Sequence, residues 1–211
     1  VWQEDDVNAP FVDANGQTNG KTNGEVYKVK PGNSKYVDVN KDGVYNDADQ
    51  GIIGCGQPTF NWGWNNTFNY KNFDFSFFVV GFHGFDIYNA THQMGYNLIK
   101  SQQMAGVTPM RELLNRWTPT NTNTDIPGFV KGGTENKDFF STRFVENGSF
   151  IKMKSITLGY TLPEATCRSL GINNLRVYAS VQNPFHITKY SGLDPEATMG
   201  SPLVQGVDWG A

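Results

Sequence analysis

The chain has 211 residues and a formal net charge of −3, with 18% charged and 38% hydrophobic side chains. This length allows one large domain or two small ones, and the absence of a Lys/Arg-rich run argues against a nucleic-acid or anionic-membrane surface. No run of about 18 apolar residues is present, so the sequence contains no transmembrane helix. The 23 glycines and the clustered aromatic residues are typical of a strand-rich protein with many turns.

Residues 1–57 are polar and rich in Gly, Asn and Asp, so we expect a long loop segment. Within it, the stretches "EVYKV" (25–29) and "KYVDV" (35–39) predict two short strands on either side of a "PGN" turn.

The segment 38–49, "DVNKDGVYNDAD", is called the acidic loop below. Its spacing is that of an EF-hand calcium loop, with glycine at the sharp turn. The oxygen-bearing positions are Asp38, Asn40, Asp42, Val44 (through its carbonyl), Asn46 and Asp49. Calcium favours six or more such oxygens, so the loop predicts a structural Ca²⁺ site. The alternative is a surface turn that binds nothing, and the short aspartate at the last position indicates weak affinity.

Residues 58–84 predict a β-hairpin. From Phe60 to Tyr70, aromatic residues alternate with asparagine, glycine and threonine, which gives the strand an aromatic face and a polar face. A short "KN" turn then leads into a second strand. One face of that strand carries Phe73, Phe75, Phe77 and Val79.

Residues 85–147 form a connection that is too long for a simple turn. Asp86 is placed to cap a helix, and Thr108–Pro109 resembles the start of another helix. Connections of this length are commonly functional or part of an interface. We therefore expect a long loop that contains short helices.

Residues 148–185 predict a second hairpin. Its first strand, "SFIKMKSITLGYTL", changes phase near Ser155, which indicates a β-bulge. After a short connector, the strand "NNLRVYASVQNPF" alternates again, and its polar face includes Arg176 and Gln182. Residues 186–211 return to Gly/Pro/Asp-rich loop.

The short turns in this order lie on one side of the sheet and the long loops on the other. Bacterial outer-membrane barrels share this asymmetry, and strands of roughly 10–13 residues match the roughly 9–11 needed for a tilted bilayer span. The predicted fold class is therefore all-β, as part of a large antiparallel transmembrane β-barrel with long extracellular loops containing short helices. A soluble β-sandwich, whose strands also alternate, is the alternative.

Four blocks of sequence carry a resemblance to a known family. They are "KYVDVNKDGVYNDADQGIIGCGQPTFNWGWNNTFNYKNFDFSFF", "RWTPTNTNTDIP", "RFVENGSFIKMKSITLGYTLP" and "LRVYASVQNPFHITKYSGLDPE". In this order they resemble the C-terminal barrel region of SusC/RagA-type TonB-dependent outer-membrane transporters. The resemblance implies a barrel of about 22 strands closed by an N-terminal plug. The chain carries neither the plug nor the final barrel strand, so we expect it to be a fragment.

The resemblance also implies a function and partners. Such transporters import oligosaccharides, or in some members peptides, with energy passed through TonB to the N-terminal part. They work with a SusD-like surface lipoprotein, and these pairs commonly dimerise. We therefore expect a multi-pass β-barrel in the outer membrane of a Gram-negative bacterium, acting as a nutrient importer and not as an enzyme. The alternative function is a secreted carbohydrate-binding β-sandwich with structural calcium.

Loop aromatics are candidates for stacking on sugar rings or contacting a lid protein. These residues are Tyr88, Tyr96, Trp117 and Tyr190. Packing within the loops themselves is the alternative for each of them. The polar strand faces would line the lumen of the implied barrel, which makes Arg176 a further candidate contact.

Overall fold

The computed structural model describes residues 1–96, 110–128, 140–196 and 205–210. The chain divides into two compact units, Val1–Ile53 with Thr91–Thr142, and Gly54–Ala90 with Arg143–Ala211. The helix start predicted at Thr108–Pro109 lies outside the described residues. Among the residues that are described, no helix is both long and apolar enough to cross a membrane.

Strands dominate the described structure, which confirms the predicted all-β class. Numbered along the chain, they are β1 (Pro10–Val12), β2 (Thr18–Thr22), β3 (Phe60–Tyr70), β4 (Phe73–His83), β5 (Asp86–Asn89), β6 (Val145–Asn147), β7 (Phe150–Thr161), β8 (Arg176–Thr188) and β9 (Val207–Asp208). The α-helices are short: α1 (Glu4–Asn8), α2 (Asn23–Tyr27), α3 (Ala90–Tyr96) and α4 (Glu164–Ser169). Single 3₁₀ turns span Asp47–Asp49, Arg111–Asn115 and Thr142–Phe144.

The largest sheet lies in the second unit, has the strand order β3-β4-β7-β8 and is antiparallel throughout. β3 and β4 pair without a register shift from Phe60↔His83 to Tyr70↔Phe73, around a two-residue turn. The turn residue Lys71 takes a left-handed φ of 52°. β7 and β8 form the second long hairpin, with α4 in its connector. β3 and β8 are the outer strands, so the described strands leave the sheet open and do not close a barrel.

A β-bulge interrupts β7 at the phase change that the sequence predicts near Ser155. Against β4, the register passes from Val79↔Met153 to Phe78↔Ser155, which leaves Lys154 as the extra residue. The extra residue offsets the phase change in the β7 sequence, so the side chains beyond the bulge share faces with their partners on β4.

The sheet has one polar face and one apolar face, because cross-strand partners share a face. The polar face carries Asn61, Asn65, Thr67, Ser76, Thr157, Ser180 and Gln182. At its loop end the same face also carries Phe78, Val80, Phe82 and Phe150, which pack into the core of this unit. The apolar face carries large side chains that remain half or more exposed: Phe60, Trp64, Phe68, Tyr70, Phe73, Leu158, Val177, Val181, Phe185 and Ile187. This is the reverse of a sheet in a soluble domain, where the apolar face packs on a core.

The first unit is built around aromatic side chains. Tyr27 of α2 stacks on Tyr45 of the acidic loop, with 5.0 Å between ring centroids. It also meets Phe11 of β1 edge-on at 5.6 Å, and the buried Trp2 lies 5.7 Å away. These contacts join the β1-β2 hairpin, α2 and the acidic loop into one body.

Two local predictions in the first unit are wrong. The stretch 25–29 is not a strand, because Asn23–Tyr27 forms α2. Its start is fixed by a capping box, in which the side chains of Thr22 and Glu25 each accept the other's backbone amide. The stretch 35–39 contains no strand either.

A small mixed sheet with the order β6-β5-β9 lies next to the ends of the long strands. Asp86 opens β5 and does not cap a helix there, and α3 begins only at Ala90. Ile87 of β5 is fully buried and packs with Phe85 and Phe150 in the main core of the described second unit. The buried position of β5 explains why it is a strand, since its backbone pairs on both sides.

Gly81 of β4 lies against Trp62 of β3 and has no room for a side chain. A Cβ atom at this position would lie 2.3 Å from the Trp62 indole. We expect Gly81→Ala to displace the indole and lower the free energy of unfolding by about 1–3 kcal/mol, seen as a lower Tm in detergent. Gly51→Ala is the control, because nothing lies within 4 Å of its Cβ position. Equal Tm values for Gly81→Ala and Gly51→Ala would show that the packing of Gly81 against Trp62 contributes nothing to stability.

Candidate functional site

The acidic loop is held together by its own carboxylates. Asp38 accepts hydrogen bonds from the Gly43 amide at 2.8 Å and from the Tyr27 hydroxyl at 2.9 Å. Asp49 accepts a hydrogen bond from the Val39 amide at 2.8 Å, which ties the end of the loop to its beginning. The first and last predicted calcium ligands are therefore brought together by the fold.

The other predicted ligands also have partners within the loop. The Asn40 side chain donates to the Asp42 carboxylate at 3.0 Å, and Asp42 accepts from the Val44 amide at 2.8 Å. The Asn46 side-chain oxygen accepts from the Ala48 amide at 2.7 Å. In the parts of the chain that the structure describes, no three His, Cys, Asp or Glu side chains group together as a metal site.

Three side chains in or beside the loop have shifted pKa values. Burial and the nearby Asp38 charge raise the pKa of Tyr45 to about 12. Burial and the hydrogen bond to Asp38 also raise the pKa of Tyr27. The pKa of Asp49 is lowered, chiefly by the hydrogen bond from the Asn46 amide, so this carboxylate stays ionised at neutral pH. The loop therefore contains an ionised carboxylate at Asp49, whose charge is stabilised by backbone amides.

Two of the candidate contact aromatics are buried. Tyr88 is 7% exposed and meets Phe144 edge-on at 6.2 Å. Tyr190 is 5% exposed and its hydroxyl donates to Asp208. Burial and this hydrogen bond raise the pKa of Tyr190. Both side chains therefore pack within the loops, which is the alternative that the sequence left open.

The other two loop aromatics are half-buried and hydrogen-bonded. The Tyr96 hydroxyl donates to Glu112 at 2.6 Å, which lowers the pKa of that carboxyl, and the Tyr96 ring meets His92 edge-on at 5.0 Å. The Trp117 indole donates to the Gln3 side chain at 3.2 Å. Both residues therefore help to order the first unit.

Arg176 lies on the polar face of the sheet, as the sequence predicts. It bonds Asp74 of β4 through Nε at 3.0 Å and through Nη2 at 2.5 Å. The pair crosses β7 above Gly159, where a Cβ atom would lie 2.4 Å from the Asp74 carboxylate. Tyr178 is 64% exposed on the same face, with the Arg176 guanidinium 5.1 Å from its ring centroid. Tyr178 is not among the loop aromatics that the sequence suggests as contacts, because it lies on β8.

An ion-pair cluster that the sequence did not reveal lies at the bulge of β7. Lys152 is only 6% exposed, and its ammonium donates to Asp194 at 2.6 Å and to Glu196 at 2.7 Å. Lys154, the extra residue of the bulge, also donates to Glu196. The cluster fastens the segment after β8 onto the polar face of the sheet.

The chain is similar in sequence to known TonB-dependent receptors. It is 35% identical over 187 residues to TonB-dependent receptor P3 of Formosa agariphila, a match that covers 86% of this chain. It is 32% identical over 173 residues to TonB-dependent receptor SusC of Bacteroides thetaiotaomicron, which covers 81% of this chain. The chain spans 18% and 16% of the lengths of these two relatives. No family model matches it.

The fold is similar to part of a solved transporter. The structure of the RagAB peptide transporter aligns with a TM-score of 0.58 at 26% identity, covering 72% of this chain and 15% of that chain. The sheet and these similarities define the class as TonB-dependent outer-membrane receptors. Within that class, the chain belongs to the SusC/RagA-type family.

We expect Lys152→Met to lower the free energy of unfolding at neutral pH by about 1–3 kcal/mol, because it removes charged hydrogen bonds from two carboxylates. Burial has the largest single effect and would raise the pKa of Asp194 and of Glu196. The Lys152 ammonium, together with the Glu196 amide at Asp194 and Lys154 at Glu196, holds both pKa values below their usual range. The stabilisation is therefore present above the unfolded-state pKa of about 4 and is lost as pH falls through the folded-state values.

The measurement is Tm in detergent for wild type and Lys152→Met from neutral pH down to about pH 3. The difference in Tm between wild type and Lys152→Met should narrow as the carboxylates of Asp194 and Glu196 become protonated. Lys30→Met, which removes an exposed lysine outside the cluster, is the matched control. A difference that stays constant with pH would contradict the assignment of the stabilisation to these ion pairs.

Proposed function

We propose that the chain supplies part of the wall and outer loops of a TonB-dependent nutrient importer in the outer membrane of a Gram-negative bacterium. The observation that carries this proposal is the exposed apolar face of the β3-β4-β7-β8 sheet. Exposing apolar surface to water costs about 25 cal/mol per Å², whereas lipid solvates the same surface. The opposite, polar face would then line the lumen.

The outer strands of the sheet support the same proposal. β3 and β8 each present an unpaired edge among the described strands. An open edge in lipid leaves backbone N–H and C=O groups without partners, so a membrane sheet must continue until it closes. Further strands on both sides, as in a large barrel, would satisfy these groups.

The soluble β-sandwich is not supported. A sandwich covers the apolar face of each sheet with a second sheet. In the described part of the chain, large apolar side chains such as Trp64 and Leu158 remain half or more exposed on that face. The relatives are named as receptors and a transporter, which also favours import over a catalytic role.

We further propose oligosaccharides or peptides as cargo and a SusD-like surface lipoprotein as partner, with TonB as the energy source and dimerisation of transporter–lipoprotein pairs. Support comes from kinship with SusC and with the RagAB complex, which is described as a peptide transporter. On the polar face, the exposed Tyr178 ring and the neighbouring Arg176 guanidinium offer a stacking and hydrogen-bonding contact for cargo.

We expect Trp64→Arg to prevent outer-membrane assembly of the full-length protein. Trp64 lies midway along β3 on the apolar face, where an arginine near the bilayer midplane costs about 2–4 kcal/mol. Asn65→Arg is the matched control, because the adjacent side chain lies on the polar face and its arginine would reach water. Assembly is measured by outer-membrane fractionation and heat-modifiable gel mobility. Equal assembly of both variants would count against a lipid-facing sheet.

We also propose that the acidic loop binds Ca²⁺ as a structural ion. The donor set consists of hard oxygens, as Ca²⁺ requires, and the Asp38 and Asp49 carboxylates lie close enough to interact. A cation between them would neutralise their repulsion, with the remaining oxygens supplied by Asn40, Asp42, Val44 and Asn46. The expected role is to stiffen the loop, which is already anchored to α2 by the stacking of its own Tyr45 on Tyr27.

We expect millimolar Ca²⁺ to raise the Tm of the wild-type protein and EDTA to reverse the shift, because an ion bound only by the folded state stabilises it. The double change Asp38→Asn and Asp49→Asn should abolish the shift. Asp47→Asn is the control, since this carboxylate bonds the Gln50 side chain and is not a predicted ligand. A wild type that melts identically in Ca²⁺ and in EDTA would rule out the site.

A further inference from the structure

The apolar face of the β3-β4-β7-β8 sheet is interrupted by a polar side chain, Asn66 of β3. Asn66 pairs with Phe77 of β4, and the same cross-strand row continues through Ile156 of β7 to Val181 of β8. Away from the strand ends, Asn66 is the only amide, hydroxyl or charged side chain at a paired position of this face in the described sheet. It lies near the middle of β3, and therefore far from both ends of the proposed membrane span.

The Asn66 side chain is half-buried, and it has no hydrogen-bond partner among the residues that the structure describes. Its neighbours on this face are aromatic. The Phe77 ring lies 5.3 Å from the Trp64 ring and 6.3 Å from the Phe68 ring, measured between centroids. An amide carries two N–H donors and a carbonyl acceptor, and lipid acyl chains satisfy none of them. An amide at this depth therefore needs a partner from outside the described strands.

The open edge of β3 determines what reaches this amide. β3 pairs with β4 on one side, and no described strand lies on its other side. In a membrane, the backbone N–H and C=O groups of that edge require a further strand. The residue of the further strand that stands opposite Asn66 shares its face, with the two Cβ atoms about 4.5–5.5 Å apart. Backbone pairing thus brings one side chain of the joining strand within hydrogen-bonding reach of Asn66.

The depth of Asn66 limits the chemistry of that side chain. A charged side chain is costly near the bilayer midplane, whereas an apolar one leaves the amide unsatisfied. Neutral side chains that donate and accept hydrogen bonds meet both requirements, and these belong to Asn, Gln, Ser and Thr.

We propose that the strand joining the open edge of β3 carries Asn, Gln, Ser or Thr opposite Asn66 on the lipid-facing surface. The inference rests on the proposed membrane wall, and it adds a function for this residue, which is to fix the register of the joining strand. A slip of two residues keeps every side chain on its own face, so alternation alone does not prevent it. Such a slip would separate the polar pair and leave both groups unsatisfied in lipid.

The sign of a change in Tm provides the first test. Asn66→Leu in the full-length protein should lower the Tm in lipid vesicles, because it leaves the opposite polar side chain without a partner. A higher Tm for Asn66→Leu would show that the amide faces lipid alone, and it would overturn the proposal. Asn65→Leu is the matched control, since the adjacent side chain lies on the polar face and its replacement leaves the pair intact.

Disulfide formation in the outer membrane identifies the partner. Cys55 and Cys167, which are free thiols, and any other cysteine of the full-length protein are first replaced by serine. Asn66→Cys is then combined, one position at a time, with a cysteine along the joining strand. We expect the position that crosslinks most readily to hold Asn, Gln, Ser or Thr in the natural sequence.

An apolar or charged natural residue at the crosslinking position would overturn the proposed pair. Crosslinking of Asn66→Cys alone into a dimer would also overturn it, because a second copy of the protein would then supply the partner. Both results require protein that has assembled in the outer membrane, so they leave the import proposal standing. Failure of the import proposal is seen separately, as equal assembly of Trp64→Arg and Asn65→Arg.

Discussion

The alternation of side chains across the hydrogen-bonded β3-β4-β7-β8 sheet is the constraint on which the rest of the structure depends. Each residue on one strand fixes the face of its partners on the next, so a single slip in register would move every aromatic residue to the polar side. The bulge at Lys154 shows how strongly this holds. One extra residue is accommodated there, and the alternation resumes beyond it, with Lys152 again on the same face as Thr157. The exposed apolar face that results is the physical basis for the proposal that the sheet belongs to a membrane-embedded wall.

The bulge also links the sheet to the segment that follows β8. Because Lys154 is the extra residue, both it and Lys152 reach Glu196, and Lys152 reaches Asp194 as well. At the same end of the sheet, Tyr190 packs into the core beside Phe150 and donates to Asp208. The loop end of the sheet is therefore an ordered structure with its own core and its own charge network. A loop ordered in this way can present a fixed surface to cargo or to a partner protein.

The first unit is held together by a different kind of contact. Its described residues contain no long strand, and its short elements are joined through the rings of Tyr27, Tyr45 and Phe11. In the acidic loop and in the β1-β2 hairpin, carboxylates accept hydrogen bonds from backbone amides. These hydrogen bonds hold both segments in shape with few apolar contacts.

The sequence by itself determined the two long hairpins, the bulge near Ser155, the division of residues between the sheet faces and the family. All of these depend on residues close together in the chain, or on strict alternation, and such patterns are readable without knowledge of the fold. Tertiary structure alone decided which polar and aromatic residues meet. Lys152 and Glu196 are 44 residues apart, and Tyr88 and Tyr190 are buried by segments distant in sequence. The stretch "EVYKV" has strand composition, yet the Thr22–Glu25 capping box makes it helical. Periodicity assigns a side chain to a face, whereas only the folded chain determines what covers that face and which charges it brings together.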